Sequence, residues 1–306
     1  MVDVYLYGMI AASTMYVIDD AFEYPQPNQY ADIKQTLPSI GGEAINSAII
    51  LAKCGLKIKF DGCWITRSNE KKIRDLLRPF DIDLSRLTIT QDGCAEEFVI
   101  TDKSSRTVFG NYAKFHSGPK QWNSPREEDI QNARMVGLDP YFKDDALLAA
   151  TLCVKNNKPY VTLDCRYDEY IARHAAAVVI SHELRDQAYR DRDAQDVFEQ
   201  YLTHCSGLVI FTFGSDALWY ARKGQEIKKI MPYQITPVDT TGAGDSFRWA
   251  IIYGLLNNWN DETTIDFASA AAACVCLSAP HTLHAPDLNG IQLFMKNYNQ
   301  SGNKTI

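Results

Sequence analysis

Gly242, Ala243 and Gly244 stand directly before Asp245 and the apolar helical run 249–256. Two glycines spaced by one alanine let a backbone come close to a ligand, and a helix that follows turns unpaired N–H groups toward the same point. Such an arrangement holds anions. A carboxylate in the first turn of that helix lies beside any phosphoryl group held there and can take the proton of an attacking hydroxyl. Base and anion hole would then come from one segment. The same residues also fit an ordinary helix cap, with Asp245 accepting from helix N–H groups. A second segment, Gly41-Gly42-Glu43-Ala44-Ile45-Asn46-Ser47-Ala48, sets two glycines before an amphipathic helix; a simple tight turn accounts for it equally well.

Both segments need a scaffold, and the rest of the chain supplies an alternating one. Short β-branched and aromatic runs at 4–7, 57–62, 135–138, 160–163, 177–180 and 208–212 predict strands. Helical periodicity marks 43–54, 71–78, 143–156, 194–202, 246–255 and 263–277. That order is the pattern of a mostly parallel sheet covered by helices on both faces. Two stretches break it. Residues 17–39 carry Pro25, Pro27 and Pro38, and residues 96–112 read as a β-hairpin turning at Asp102-Lys103-Ser104-Ser105. Edge strands projecting from an α/β body need cover, so they are expected to form a small sheet that caps a cleft or pairs with a second subunit. The polar tail after Lys296 is expected to fray.

Composition narrows the partners. The 306 residues are 46% hydrophobic, enough for a sizeable core. A formal charge of -7, with 31 scattered Lys and Arg, leaves no basic stripe for nucleic acid. No run is long and apolar enough to span a membrane, and Asp3 stands where an export signal needs a base, so a cytoplasmic protein is expected. The eight cysteines form no C-x-x-C pair and read as free thiols.

In order and separation, the two glycine segments resemble the paired signatures of the ribokinase-like (PfkB-type) carbohydrate kinases. Asp239-Thr240-Thr241-Gly242-Ala243-Gly244-Asp245 is similar to that family's D-T-x-G-A-G-D, and Gly41 to Ala48 followed by Leu51-Ala52-Lys53-Cys54-Gly55 is similar to its G-G-x-x-x-N-x-A…L-A-x-L-G. The resemblance implies one domain over residues 1–306, an α/β/α sandwich of three layers with a mostly parallel central sheet and a small β-sheet lid built from segments near 14–40 and 94–113. It implies that Gly242, Ala243 and Gly244 form an anion hole for the phosphoryl group transferred from MgATP, with Asp245 as general base. Gly41, Gly42 and Asn46 would bind substrate hydroxyls, joined by Asp164 at a strand end and Arg106 in the lid.

Further likenesses extend the implied site. Phe211-Thr212-Phe213-Gly214 resembles the family's T-x-G beside the nucleotide, and the small-residue run 267–274, with Ser269, resembles the helix lining the adenine pocket. Asp239 and Thr241 fall where some relatives hold a monovalent cation such as K⁺. Departures are equally specific. The family's sugar-binding aspartate after the first strand aligns with Ser13, a hydroxyl that cannot give a charge-assisted pair of bonds. Its N-x-x-E motif, which orders water around Mg²⁺, aligns with Ser181-His182-Glu183-Leu184; Glu183 is one residue out of register. Either a local shift restores it, or Mg²⁺ is held mainly by ATP phosphates and water. The expected activity is ATP-dependent phosphorylation of a sugar-like hydroxyl by a homodimer paired through the lid. A nucleoside kinase of the same fold and a non-catalytic sugar or nucleotide sensor are the competing readings.

Overall fold

The computed structural model describes residues 1–102, 106–278 and 281–300. Nine strands make the central sheet: β1 (Val2–Gly8), β4 (Ile58–Gly62), β6 (Ile82–Asp83), β10 (Ala133–Leu138), β11 (Tyr160–Leu163), β12 (Ala177–Ile180), β13 (Leu208–Phe213), β14 (Asp216–Ala221) and β15 (Lys228–Ile230). Their order is β15-β14-β13-β12-β11-β10-β1-β4-β6. From β6 to β13 every pairing is parallel, and only β14 and β15 join antiparallel at one edge. β11 and β12 are buried at every residue, which explains their unbroken apolar runs: a strand covered by helices on both faces has no polar side to show.

β1 starts the sheet, and the chain then moves outward on one side to β4 and β6 and on the other from β10 to β15. Strand order therefore reverses between β1 and β10, and the carboxyl ends of the strands at such a reversal leave an open crevice. Gly8, Leu138, Leu163 and Ile180 all end there.

A second sheet stands over that crevice. β2 (Ala11–Ile18) leaves β1 directly, pairs antiparallel with β3 (Ile33–Gly41) and parallel with β8 (Glu96–Thr101), and β9 (Arg106–Gly110) completes the order β3-β2-β8-β9. The hairpin expected at 96–112 forms, although Lys103, Ser104 and Ser105 of its turn lie outside the described residues. A two-stranded ribbon of β5 (Ile65–Thr66) and β7 (Ile89–Thr90) buttresses the lid base. Phe98 and Phe109 stack at 4.8 Å on the exposed lid face.

One expectation fails at the C-terminus. The helix Leu288–Gln300 continues past Lys296, because Tyr298 packs its ring 4.6 Å from Tyr233 and its hydroxyl accepts the Gln234 N–H at 2.8 Å. Residues 301–306 lie outside the described residues. All eight cysteines are free, and burial pushes the Cys54 and Cys153 thiols up to about 12. No helix among the described residues is long and apolar enough to cross a membrane.

Candidate active site

Gly242 caps the helix Ala243–Leu256 with φ of 72°, a left-handed conformation that favours glycine. The loop before it is pinned from both ends: Val238 and Asp239 donate to the Cys276 carbonyl at 2.7 and 3.1 Å, and Asp239 Oδ1 accepts the Thr241 N–H at 2.9 Å. Ala243 N–H reaches Thr240 at 3.4 Å, whereas the amides of Gly244 and Asp245 find no protein acceptor among the described residues. Two free N–H groups at the start of a 14-residue helix form the cradle that the sequence implied.

Asp245 lies in that first turn, 19% exposed. Asn46 Nδ2 donates to its Oδ2 at 3.1 Å, so the two glycine segments meet across 199 residues of chain. Arg248 Nη1 lies 3.4 Å from its other oxygen, and Arg248 Nη2 lies 3.1 Å from Asp164. Burial opposes the charge on Arg248, but Asp164 and then Asp245 raise its pKa and keep it cationic. Asp164 holds φ of +38°, a strained state for a residue with a side chain. The strain turns its carboxylate back over the strand ends, where it also accepts the Ser181 N–H at 2.7 Å.

These groups border a cavity of about 370 Å³ under the lid, walled by Gly41, Gly42, Asn46, Asp164, Asp245 and Arg106 among others. Glycine is required twice in the wall. A Cβ on Gly41 would sit 2.1 Å from Glu97 Oε1, and Gly42, at φ of 107°, would place one 2.5 Å from the Met9 carbonyl. Gly42→Ala is therefore expected to destabilise the fold by roughly 1–3 kcal/mol, as forced backbone strain does. Urea unfolding checks this; an unchanged midpoint would contradict it.

Not every expected residue reaches the cavity. Ser13 does not line it. β2 turns its side chain into the lid base, where it is 1% exposed with an unpartnered hydroxyl opposite Ser39, while its carbonyl accepts from Lys72. Ser181 does border the cavity, but its hydroxyl caps the helix His182–Ala188 by accepting the Leu184 N–H. That cap sets the helix so that Leu184 packs on the core and Glu183 borders the cavity, restoring the carboxylate one residue out of register. Thr212, Gly214 and Ser269 lie outside this cavity. Gly214 is exposed at φ of 65°, with open space where a side chain would be, and Ser269 is buried with an unpartnered hydroxyl. Asp239 Oδ2 and Thr241 Oγ1 are also buried without partners, a pair of oxygens of the kind a cation uses.

Three site groups were missed: Arg248, Glu43 and Asp139. Asp139 follows β10, fully buried, and Met9 N–H donates to it at 2.7 Å. Burial and the neighbouring Glu43 charge hold its carboxyl well above the usual range. Glu43 borders the cavity, and burial, with the charge of Asp245, pushes it up to about 7 from 4.5. The folded chain thus keeps a proton on Glu43 up to about pH 7 that the unfolded chain releases near 4.5. Wild-type stability should fall as pH rises through that window, since the folded state binds more protons there. Glu43→Gln should remove this part of the slope, gaining on wild type from pH 5 to 8 in paired thermal unfolding curves; parallel curves would refute the shift.

The comparisons agree with this architecture. Residues 9–286 match the model of the pfkB family carbohydrate kinases. A 5-dehydro-2-deoxygluconokinase of Bacillus subtilis is 25% identical over 283 residues, covering 84% of this chain and 86% of its own. Ribokinase of Arabidopsis thaliana, solved with ribose and ATP, superposes with a TM-score of 0.77 at 17% identity, covering 96% and 99% of the two chains. A Burkholderia thailandensis nucleoside kinase, solved with inosine, gives 0.75 at 14% identity with 96% of each covered. The fold is ribokinase-like. The chain belongs to the pfkB family of carbohydrate kinases.

Proposed function

We propose that the chain moves the γ-phosphoryl group of MgATP to a hydroxyl of a sugar or sugar-like alcohol, with Asp245 as general base. The observation that carries this is the joint position of Asp245, Asn46 and the free Gly244 and Asp245 amides on one cavity wall. The acceptor oxygen forms its bond to the γ-phosphorus as the bridge to the β-phosphate breaks; the hydroxyl proton goes to Asp245, and ADP leaves. Amides aimed at the transferring group stabilise its charge, and the lid excludes water that would otherwise attack ATP.

Gly41, Gly42, Asn46, Asp164 and Arg106 bind the acceptor end or its phosphoryl neighbour. Thr212, Gly214, Ser181 and Ser269 flank the nucleotide. Mg²⁺ arrives with the phosphates, and Glu183 is the carboxylate available to order its water. Asp239 and Thr241 offer oxygens to a monovalent cation such as K⁺, a reading supported by their two buried, unpartnered oxygens. The exposed apolar lid residues Phe98, Val108 and Phe109 support a homodimer formed through that sheet, in the cytoplasm.

The test is ADP release with MgATP against pentoses, hexoses, ketoses, sugar acids and nucleosides. Turnover with a sugar class is expected. Turnover with nucleosides alone would shift the acceptor assignment, and silence across the panel despite measurable ATP binding would overturn the kinase reading in favour of a sensor.

A further inference from the structure

We propose that the acceptor is an uncharged polyol and that the cavity turns away molecules carrying a carboxylate. This rests on the kinase reading of the same site and goes beyond it by naming the charge of the acceptor. The walls present acceptors rather than donors. Asn46, 2% exposed, spends its Nδ2 on Asp245 and leaves Oδ1 buried without a partner, a position that asks for a hydroxyl. Glu43 takes no hydrogen bond from another side chain among the described residues, and Glu97 takes one only from the Tyr112 hydroxyl at its back. Gly41, by lacking a Cβ, leaves the space that brings the Glu97 carboxylate to the cavity.

The cations that could receive a substrate carboxylate are engaged or elsewhere. Arg248 is 12% exposed and already paired with both Asp164 and Asp245. Arg106 sits on the exposed lid strand and exerts its field on Cys276, the residue that anchors Val238 and Asp239, so it stands over the phosphoryl end. His116 also borders the cavity, and burial, aided by Lys143, lowers its pKa from 6.5, so it is neutral at pH 7. A carboxylate placed between Glu43 and Glu97 meets like charge on two sides, while a hydroxyl meets acceptors. The Bacillus subtilis relative is named for a gluconate acceptor, so the inference separates this chain from it.

The test uses the full chain with MgATP and matched pairs, glucose against gluconate and neutral deoxy-ketoses against 2-keto-3-deoxygluconate and 5-dehydro-2-deoxygluconate. The neutral members are expected to show kcat/KM at least about tenfold higher, since like-charge contacts cost that much or more. Glu43→Gln should narrow the ratio, and Glu97→Gln serves if that variant folds poorly. Equal or better turnover of the acids overturns the proposal. If no acceptor is phosphorylated, the kinase reading fails separately, and calorimetric binding without ATP decides this one: neutral sugars bound in preference to acids support it, and acids bound better, or neither bound, overturn it.

Discussion

Asp245→Asn is expected to lower kcat by at least about 10², the usual worth of a positioned general base, while ATP still binds. The substitution keeps the shape of the side chain, and its amide oxygen can still accept from Asn46, so the contact between the two glycine segments survives. Arg248 loses one carboxylate and keeps Asp164. The helix Ala243–Leu256 loses a negative charge from its first turn, a cost of about 0.3–1 kcal/mol. Thermal unfolding should therefore move little, and the loss should fall on kcat and kcat/KM together, as it does for a group acting only in the transition state. If Asp245 were merely a helix cap, the order would invert: stability would drop and kcat would stay within a few-fold of wild type. Steady-state ADP release and an unfolding curve on the same preparation separate the two.

The parts of the site that were legible in the sequence are those where backbone geometry restricts the residue type. Gly242 and Gly42 both take positive φ at the start of a helix, and few residues other than glycine serve there. The short apolar runs that became β11 and β12 were legible for a similar reason, since burial on both faces admits little else. Arg248 was not legible. Its meaning comes from Asp164, 84 residues away, and nothing local distinguishes it from a solvent-facing arginine in a helix. Glu43 sits at an unconstrained position within its signature and gains its character only when Asp245 and burial act on it.

Ser13 and Glu183 show how register misleads. Matching by position assigned Ser13 to the substrate, but a strand sends alternate side chains to opposite faces, and β2 enters the lid with Ser13 turned inward. At Ser181 the hydroxyl caps the following helix, and helical geometry rather than motif spacing then decides which of Glu183 and Leu184 meets the cavity. The apolar residue goes to the core. The carboxylate is left for the site.

Gly244→Ala tests the cradle itself, because here the glycine is not demanded by the fold. Gly244 lies inside the helix with ordinary φ, and a Cβ would meet nothing nearer than Arg248 Nη2 at 3.9 Å. Alanine should therefore be accommodated, with stability unchanged or raised by up to about 0.5–1 kcal/mol from its better helix propensity. The added methyl would nevertheless stand beside the two free amides, in the space a phosphoryl oxygen needs. A loss of kcat/KM on the order of 10² is expected, comparable to removing one oxyanion donor. Gly42→Ala should behave in the opposite sense, losing stability because its Cβ strikes the Met9 carbonyl. A Gly244→Ala enzyme that keeps its melting temperature and its activity would show that no anion approaches these amides; one that keeps the first and loses the second ties the free N–H groups to phosphoryl transfer.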